Sequence, residues 1–290
     1  MFKQLRPYQL KPESVPSLDE LRKVAQKYPA RECEFQETQH LGFKPFEGRE
    51  NSDEAFVLNL DSGRLQFFEL LRMKRIVPAD AVKRETRKRV RALNERQSEP
   101  LTKKEIRTVK DEIYLERLGK ALQKETAFPV VIDTDTQQMW IGAASDGACS
   151  DIIKLIRRTG INIEPEILWV GLDLTTWMAA WMTGQASPPD GFSIGGRVKA
   201  VDPMEIKATV SIAHEELSQP DLAAVIERRT VVELDLASES VSLNLTHDNS
   251  LKSIKIHGTP EAEDDLVHRY TLWALELKQC LSSIDRAVRR

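Results

Sequence analysis

Seventeen lysines and arginines fall between Arg72 and Lys124 against eight acids, a local net charge of about +9 in a chain whose 42 basic and 45 acidic residues leave it at −3. Everything outside the stretch therefore sums to about −12. A segregated positive field attracts polyanions whatever the overall charge. A second chemistry is conceivable at Asp133 and Asp135 with Glu69, three carboxylates of the kind that hold magnesium for phosphodiester hydrolysis. Aspartate at a strand end beside Thr134 and Thr136 is also ordinary turn chemistry, and that reading is preferred. His40, His214, His247, His257 and His268 form no HxxxH pair, and although Glu215 and Glu216 follow His214, no second histidine sits near them. No GxxxxGK[ST] or GxGxxG occurs, and GFSIGGR has its glycines in a different order, so no metal, nucleotide or other cofactor is implied. Cys33, Cys149 and Cys280 are odd in number and far apart, as packing residues are.

The elements that must position the basic residues are two helices. From Pro78 to Leu93, spacing at 100° per residue puts Ala79, Val82, Thr86, Val90 and Leu93 on one face, with Arg84, Arg87, Lys88 and Arg91 opposite. Asp80 with Arg84 and Glu85 with Arg89 have the i, i+4 spacing of supporting surface pairs, whereas Arg87, Lys88 and Arg91 have no acid four residues before them. Ser98 to Pro100 ends the run, and Thr102 with Glu105 is a capping box that starts a second helix, expected to reach about Lys124. On it Lys103, Arg107, Lys110 and Arg117 form a narrow stripe, with Ile106, Val109 and Ile113 to one side and Leu115, Leu118 and Leu122 to the other. At roughly 25 to 35 Å each, the helices are long enough to follow several phosphates of a duplex. The candidate DNA-binding residues are Lys83, Arg84, Arg87, Lys88, Arg91, Lys103, Lys104, Arg107, Lys110, Arg117 and Lys120. Amphipathic helices also carry such residues merely as a wet face, so the charge run alone does not decide.

At 41% hydrophobic and 30% charged, the 290 residues describe an ordinary globular protein with one large core or two medium ones. No apolar run spans a bilayer and MFKQLRPYQL lacks a signal-peptide core, so a cytoplasmic location is expected. Strands are predicted at Phe2–Leu10, Glu32–Gln36 and ILWVGL, and as hairpins FVLNL with RLQFFELLRM, FPVVIDT with QQMWIGAAS, and VVELDLA with VSLNLTH and LKSIKIHG. LGFKPFEGRENSDE reads as a loop. Helices are predicted from Ser17 to Tyr28, Gly147 to Arg158, in LTTWMAAWMTG, near Gln219 to Glu227, and from Pro260 to about Val288. Three of these stretches look like related ββα units without being a true repeat. Trp177 and Trp181, four apart, form a core or dimer stripe, with base stacking as the minor alternative. The class is α+β, antiparallel hairpin sheets with a basic helical pair and a long C-terminal helix, in three parts: 1–77, 78–124 and 125–290.

Taken together, FKQLRPYQL, KRIVPADAVK, KKEIRTVKDE, VVIDTDTQQMWIGAAS, LDLTTW and SLKSIKI resemble, in order and spacing over more than 250 residues, the bacterial recombination-associated RdgC family. The resemblance implies a homodimeric ring with a positively lined hole that encircles DNA, single- or double-stranded, with little sequence preference. It further implies a nucleoid-associated, non-enzymatic protein that restrains the strand-exchange recombinase. Two positions depart from the family pattern. Where the family closes its ring with a phenylalanine late in the second basic helix and a lysine in a later turn, this chain has Leu122, and His214 with Glu215. The alternatives left open are a magnesium-dependent nuclease using the strand-end carboxylates and a scaffold whose basic stretch binds an acidic protein.

Overall fold

Leu65–Arg75 and Gln123–Asp133 pair antiparallel over eleven consecutive registers, from Leu65 opposite Asp133 to Arg75 opposite Gln123. The computed structural model describes residues 2–97, 99–204, 208–213, 224, 226, 228–258 and 265–290. In chain order the elements are β1 (Gln4–Gln9), α1 (Leu18–Lys27), β2 (Gln39–Lys44), β3 (Val57–Leu60), β4 (Leu65–Arg75), α2 (Ala79–Asn94), α3 (Lys103–Leu118), β5 (Gln123–Asp133), β6 (Gln138–Ile141), α4 (Asp146–Arg158), β7 (Glu166–Ile167), α5 (Leu174–Thr183), β8 (Ser193–Val201), β9 (Thr209–Ala213), β10 (Thr230–Ala237), β11 (Val241–Thr246), β12 (Leu251–Ile256) and α6 (Leu266–Val288). The strands join in the order β2-β4-β5-β6-β1-β12-β11-β10-β8-β9, with β3 beside β4 and β7 beside β1. Every strand ladder among the described residues is antiparallel, and the class is α+β.

Strand period two explains why the inner part of this sheet is covered on both faces. Leu65, Phe67, Val131 and Trp140 point into one core with Leu174, Trp181 and the α6 residues Trp273, Leu277 and Ile284. Their sequence neighbours Phe68, Val130, Ile132, Met139 and Ile141 point into the other, under Leu21 of α1 and Ile152 and Ile156 of α4. Trp177 is only partly buried, with its ring 6.4 Å from that of Trp181, so the pair belongs to the first core. All three cysteines are free and buried, and burial together with Glu276 pushes the Cys280 thiol up to about 12.

Three strands hold the sheet together in two different ways. β1 bonds β6 through Arg6 to Gln9 and β12 through Gln4 and Leu5, so it joins the two halves of the sheet. Arg6 is buried at that junction, where it pairs with Asp146 at the start of α4 and donates to Asp248 at 3.0 Å in the β11–β12 turn. β4 and β5, in turn, are longer than the cores they line. Phe128 to Asp133 are buried but Lys124 to Ala127 are exposed, so the outer half of the ribbon carries α2 and α3, which connect its two strands, away from the cores.

Several expectations need correction. Residues 32–36 form no strand; the strand lies at Gln39–Lys44 and takes the first four residues of the expected loop, and all six of its residues pair with β4 from Lys74 to Glu69. The second basic helix stops at Leu118, because the eleven-residue β4 draws residues from Gln123 onward into its partner strand, and the helical part of 78–124 ends there. ILWVGL contributes only its first residue, Ile167, to the sheet, paired there together with Glu166, since Val170 and Leu172 close turns back onto Ile167 and Trp169. The Asp61–Gly63 turn has positive φ at Asp61 and Ser62 as well as at Gly63. The helix near Gln219 to Glu227 lies outside the described residues apart from Ala224 and Ile226, as does the stretch from 260 to 264 before α6.

Arg75 fixes the outer end of the ribbon. Its guanidinium donates to the carbonyl oxygens of Leu118 at 3.1 Å, Ala121 at 3.3 Å and Cys33 at 2.9 Å, binding the C-terminus of α3 to the sheet. A cation at a helix C-terminus also suits the helix dipole. Arg75→Met is expected to lower stability by about 2 kcal/mol, the scale for charged hydrogen bonds, and to speed amide exchange in the last turn of α3 while leaving α4 and α6 unchanged. Uniform acceleration across all helices would contradict this role. At the other junction, burial alone would raise the Asp248 pKa, but the hydroxyls of Thr246 and Ser250, with Arg6 and Lys252, outweigh it and hold the carboxyl below its ordinary value. A carboxyl depressed on folding stabilises above its unfolded pKa and loses that contribution as pH falls through the folded one. The stability gap between wild type and Asp248→Asn should thus be full at pH 7 and close below about pH 4; a gap constant down to pH 3 would refute it.

Candidate nucleic-acid interface

The helical pair owes its shape to a small core of its own. Val82 on α2 meets Val109 and Ile113 on α3, flanked by Val77, Val90 and Leu93. Thr86 is buried in the same face and returns its hydroxyl to the Val82 carbonyl at 2.8 Å. The capping box forms as its spacing requires: the Thr102 hydroxyl accepts from the Glu105 amide and the Thr102 amide donates to the Glu105 carboxylate at 2.7 Å. Those contacts hold the Glu105 carboxyl below its ordinary range. The Asn94 side chain accepts from the Leu101 amide at 2.9 Å and closes the connection.

Two ion pairs cross between the helices, and they are not the i, i+4 pairs that the spacing suggests. Arg89 passes over Glu85 and donates through both Nη atoms to Glu116 of α3 at 2.9 Å. That fork holds the Glu116 carboxyl below its ordinary value and raises Arg89 further. Glu85 instead takes Arg117 of α3, with Nε at 2.8 Å and Nη2 also in contact. Once the apolar faces of α2 and α3 meet, the carboxylate across the seam is better placed than the one a turn away.

Of the eleven candidate DNA-binding residues, Lys83, Arg84, Arg87, Lys88, Lys103, Lys104, Arg107, Lys110 and Lys120 are exposed and make no ion pair among the described residues. Arg91 is exposed and pairs with Glu95 at 3.2 Å, and Arg117 is half-buried against Glu85. Arg84, Lys88, Arg89 and Arg117, with Glu85 between them, line one open groove of about 480 Å³. Four cations and one carboxylate give this groove a net positive lining. Arg72 and Arg75 have different work: Arg72 lies 4.8 Å over the Phe128 ring and donates to Asp151 at 3.1 Å, while Arg75 binds carbonyls. Their positions on β4, before the first helical residue Ala79, separate them from the helical charges.

Apolar surface borders the same unit. Leu118 is buried, but Leu115 is 55% and Leu122 84% exposed, next to Ile76, whose amide donates to the Leu122 carbonyl at 2.9 Å. Of the three residues singled out for closing a ring, only Leu122 is described; His214 and Glu215 lie outside the described residues.

The carboxylates do not converge. Asp133 is fully buried and accepts from the Asp135 amide at 3.0 Å, the Thr136 hydroxyl at 2.7 Å and Lys278 of α6 at 3.0 Å. Asp135 shares that lysine at 3.2 Å. Glu69, opposite Pro129 while Asp133 lies opposite Leu65, is four residues along the ribbon, roughly 13 Å away at strand rise, and pairs with Lys44. Among the described residues no three histidines, cysteines or carboxylates gather around one point. This arrangement anchors α6 to the end of β5. Nor is any described helix long and apolar enough to cross a membrane.

Comparison with known proteins gives the same family along almost the whole length. A family described as "Putative exonuclease, RdgC" matches residues 1–278. The chain is similar to the recombination-associated protein RdgC of Psychromonas ingrahamii, 22% identical with 98% of this chain and 96% of that one covered. It is similar also to the proteins of that name from Proteus mirabilis and Yersinia enterocolitica, each 24% identical, with 91% of this chain and 86% of theirs covered. Low identity sustained at nearly full length, together with the match over residues 1–278, means that this chain belongs to the RdgC family.

Proposed function

We propose that this chain is a recombination-associated, sequence-nonspecific DNA-binding protein, and that α2 and α3 are its face toward the phosphate backbone. The observation that carries the reading is the set of nine exposed lysines and arginines, eight on the helical pair and Lys120 just after it, that make no ion pair among the described residues. Charges that a fold leaves uncompensated on a rigid, projecting unit are available to phosphates, and their lack of base-reading pattern suits backbone contact. In this reading residues 78–124 form the DNA-facing part, with 1–77 and 125–290 supporting it. Two copies arranged with their helical pairs toward a common opening would encircle a duplex. Leu122 and Ile76 supply exposed apolar surface that a second copy would cover. A ring on DNA, in the nucleoid, would hinder the strand-exchange recombinase by occupying its track.

The reading is non-enzymatic. The family description carries the word exonuclease, but here Asp133 and Asp135 are committed to Lys278 and to turn hydrogen bonds, and Glu69 to Lys44. End-labelled duplex incubated with magnesium should keep its length; progressive shortening would favour the nuclease reading instead. For a scaffold binding an acidic protein, excess duplex DNA would fail to displace the partner.

Binding should weaken steeply with salt. If about six phosphates are neutralised, log K against log salt should have a slope of about −5, with little change on shuffling the DNA sequence. Arg87→Ala with Arg91→Ala, or Lys103→Ala with Arg107→Ala, should each cost roughly 1 kcal/mol or more of binding at matched salt with unchanged melting. A slope near zero, or full affinity in both double mutants, would mean that the helices are only a solvated surface.

A further inference from the structure

Resting on that reading, we infer that Glu85 is a built-in counter-ion occupying a phosphate seat in the groove of Arg84, Lys88, Arg89 and Arg117, and that DNA binding displaces it from Arg117. The groove brings four cations around a single carboxylate. Like charges so close repel, and one anion in their midst relieves that repulsion. Glu85 meets Arg117 through Nε and Nη2, one of the edges by which a guanidinium forks onto a phosphate. Arg89 has its own fork filled by Glu116 on the far side of the seam. Arg84 and Lys88 have neither, being exposed and without an ion pair among the described residues.

A phosphodiester entering this groove therefore meets Arg84 and Lys88 first and then competes with Glu85 for Arg117. For Arg117 the exchange is one anionic oxygen partner for another. The gain comes from Arg84 and Lys88, and the opposing term is the repulsion between the incoming phosphate and the displaced carboxylate. In the empty state the same carboxylate keeps Arg117 extended across the seam, so α2 and α3 stay locked while no DNA is bound. Glu85 thus limits affinity for an isolated phosphate and favours a ligand that can also engage the neighbouring exposed charges, as a continuous nucleic-acid backbone does.

The test is titration of a fluorescent duplex with wild type, Glu85→Gln and Asp111→Asn. Asp111 is an exposed α3 carboxylate outside the groove, so its substitution changes net charge equally without freeing Arg117. Glu85→Gln should bind several-fold more tightly at about 0.1 M salt and steepen the salt slope by about one, the increment for one more phosphate neutralised, while Asp111→Asn shifts both much less. Circular dichroism melts run alongside. Should Glu85→Gln lose helix, Glu85→Asp keeps the charge but retracts it by one methylene, and a smaller tightening is expected. Salt-steep wild-type binding with Glu85→Gln or Glu85→Asp no tighter than Asp111→Asn would overturn the counter-ion role alone. Absence of wild-type binding even at low salt would overturn the interface as well.

Discussion

The eleven-register ladder between β4 and β5 is the constraint on which the rest of this structure depends. Its inner half contributes alternate side chains to two cores, with Phe67 and Val131 under α6 and Phe68 and Val130 under α1 and α4. A one-residue slip would exchange those sets and send each side chain into the core shaped for its neighbour, so the register is fixed by packing on two sides. Its outer half has no core to line. There the ladder acts as a stalk whose strands connect through α2 and α3, and the Arg75 guanidinium ties the end of α3 to the sheet through three carbonyl contacts near 3 Å.

That architecture sorts the basic residues by role. Arg72 and Arg75 on β4 are turned onto carbonyls, an aromatic ring or Asp151, where they hold backbone and neighbouring elements in place. Those along the seam between the helices, Arg89 and Arg117, cross-link α2 to α3 and make up for a core of only three fully buried apolar residues, Val82, Val109 and Ile113. Exposed pairs are individually worth little, but two on one short seam add to that small core. What remains, from Lys83 to Lys120, is a positive surface on a unit already rigid, and each of its helices is about 24 Å long at 1.5 Å per residue.

Much of this was legible in the residues. The period of Val82, Thr86, Val90 and Leu93 gave the buried face of α2, and the Thr102 and Glu105 spacing located the start of α3, because both depend on local geometry. The β3–β4 and β5–β6 hairpins followed from alternation and turn residues. Long-range terms account for what was not legible. The end of α3 depends on how far β4 extends, and β2 lies at Gln39–Lys44 because that segment meets the free edge of β4 beside β3. Arg89 and Glu85 exchange partners because a second helix arrives, and Arg75 counts as one more basic residue until its carbonyl neighbours are in place. Lys278, 143 residues beyond Asp135, pairs with both Asp133 and Asp135, the carboxylates that by sequence alone suggest metal chemistry.

Lysine reactivity mapped by mass spectrometry with and without duplex DNA tests the central claim most directly, since it asks which ammonium groups face phosphate. The account predicts that DNA shields Lys83, Lys88, Lys103 and Lys110 on the helical pair, while the exposed Lys3, Lys27 and Lys154 react at the same rate in both states. Equal reactivity on α2 and α3 with and without bound DNA, or protection confined to lysines elsewhere, would contradict it.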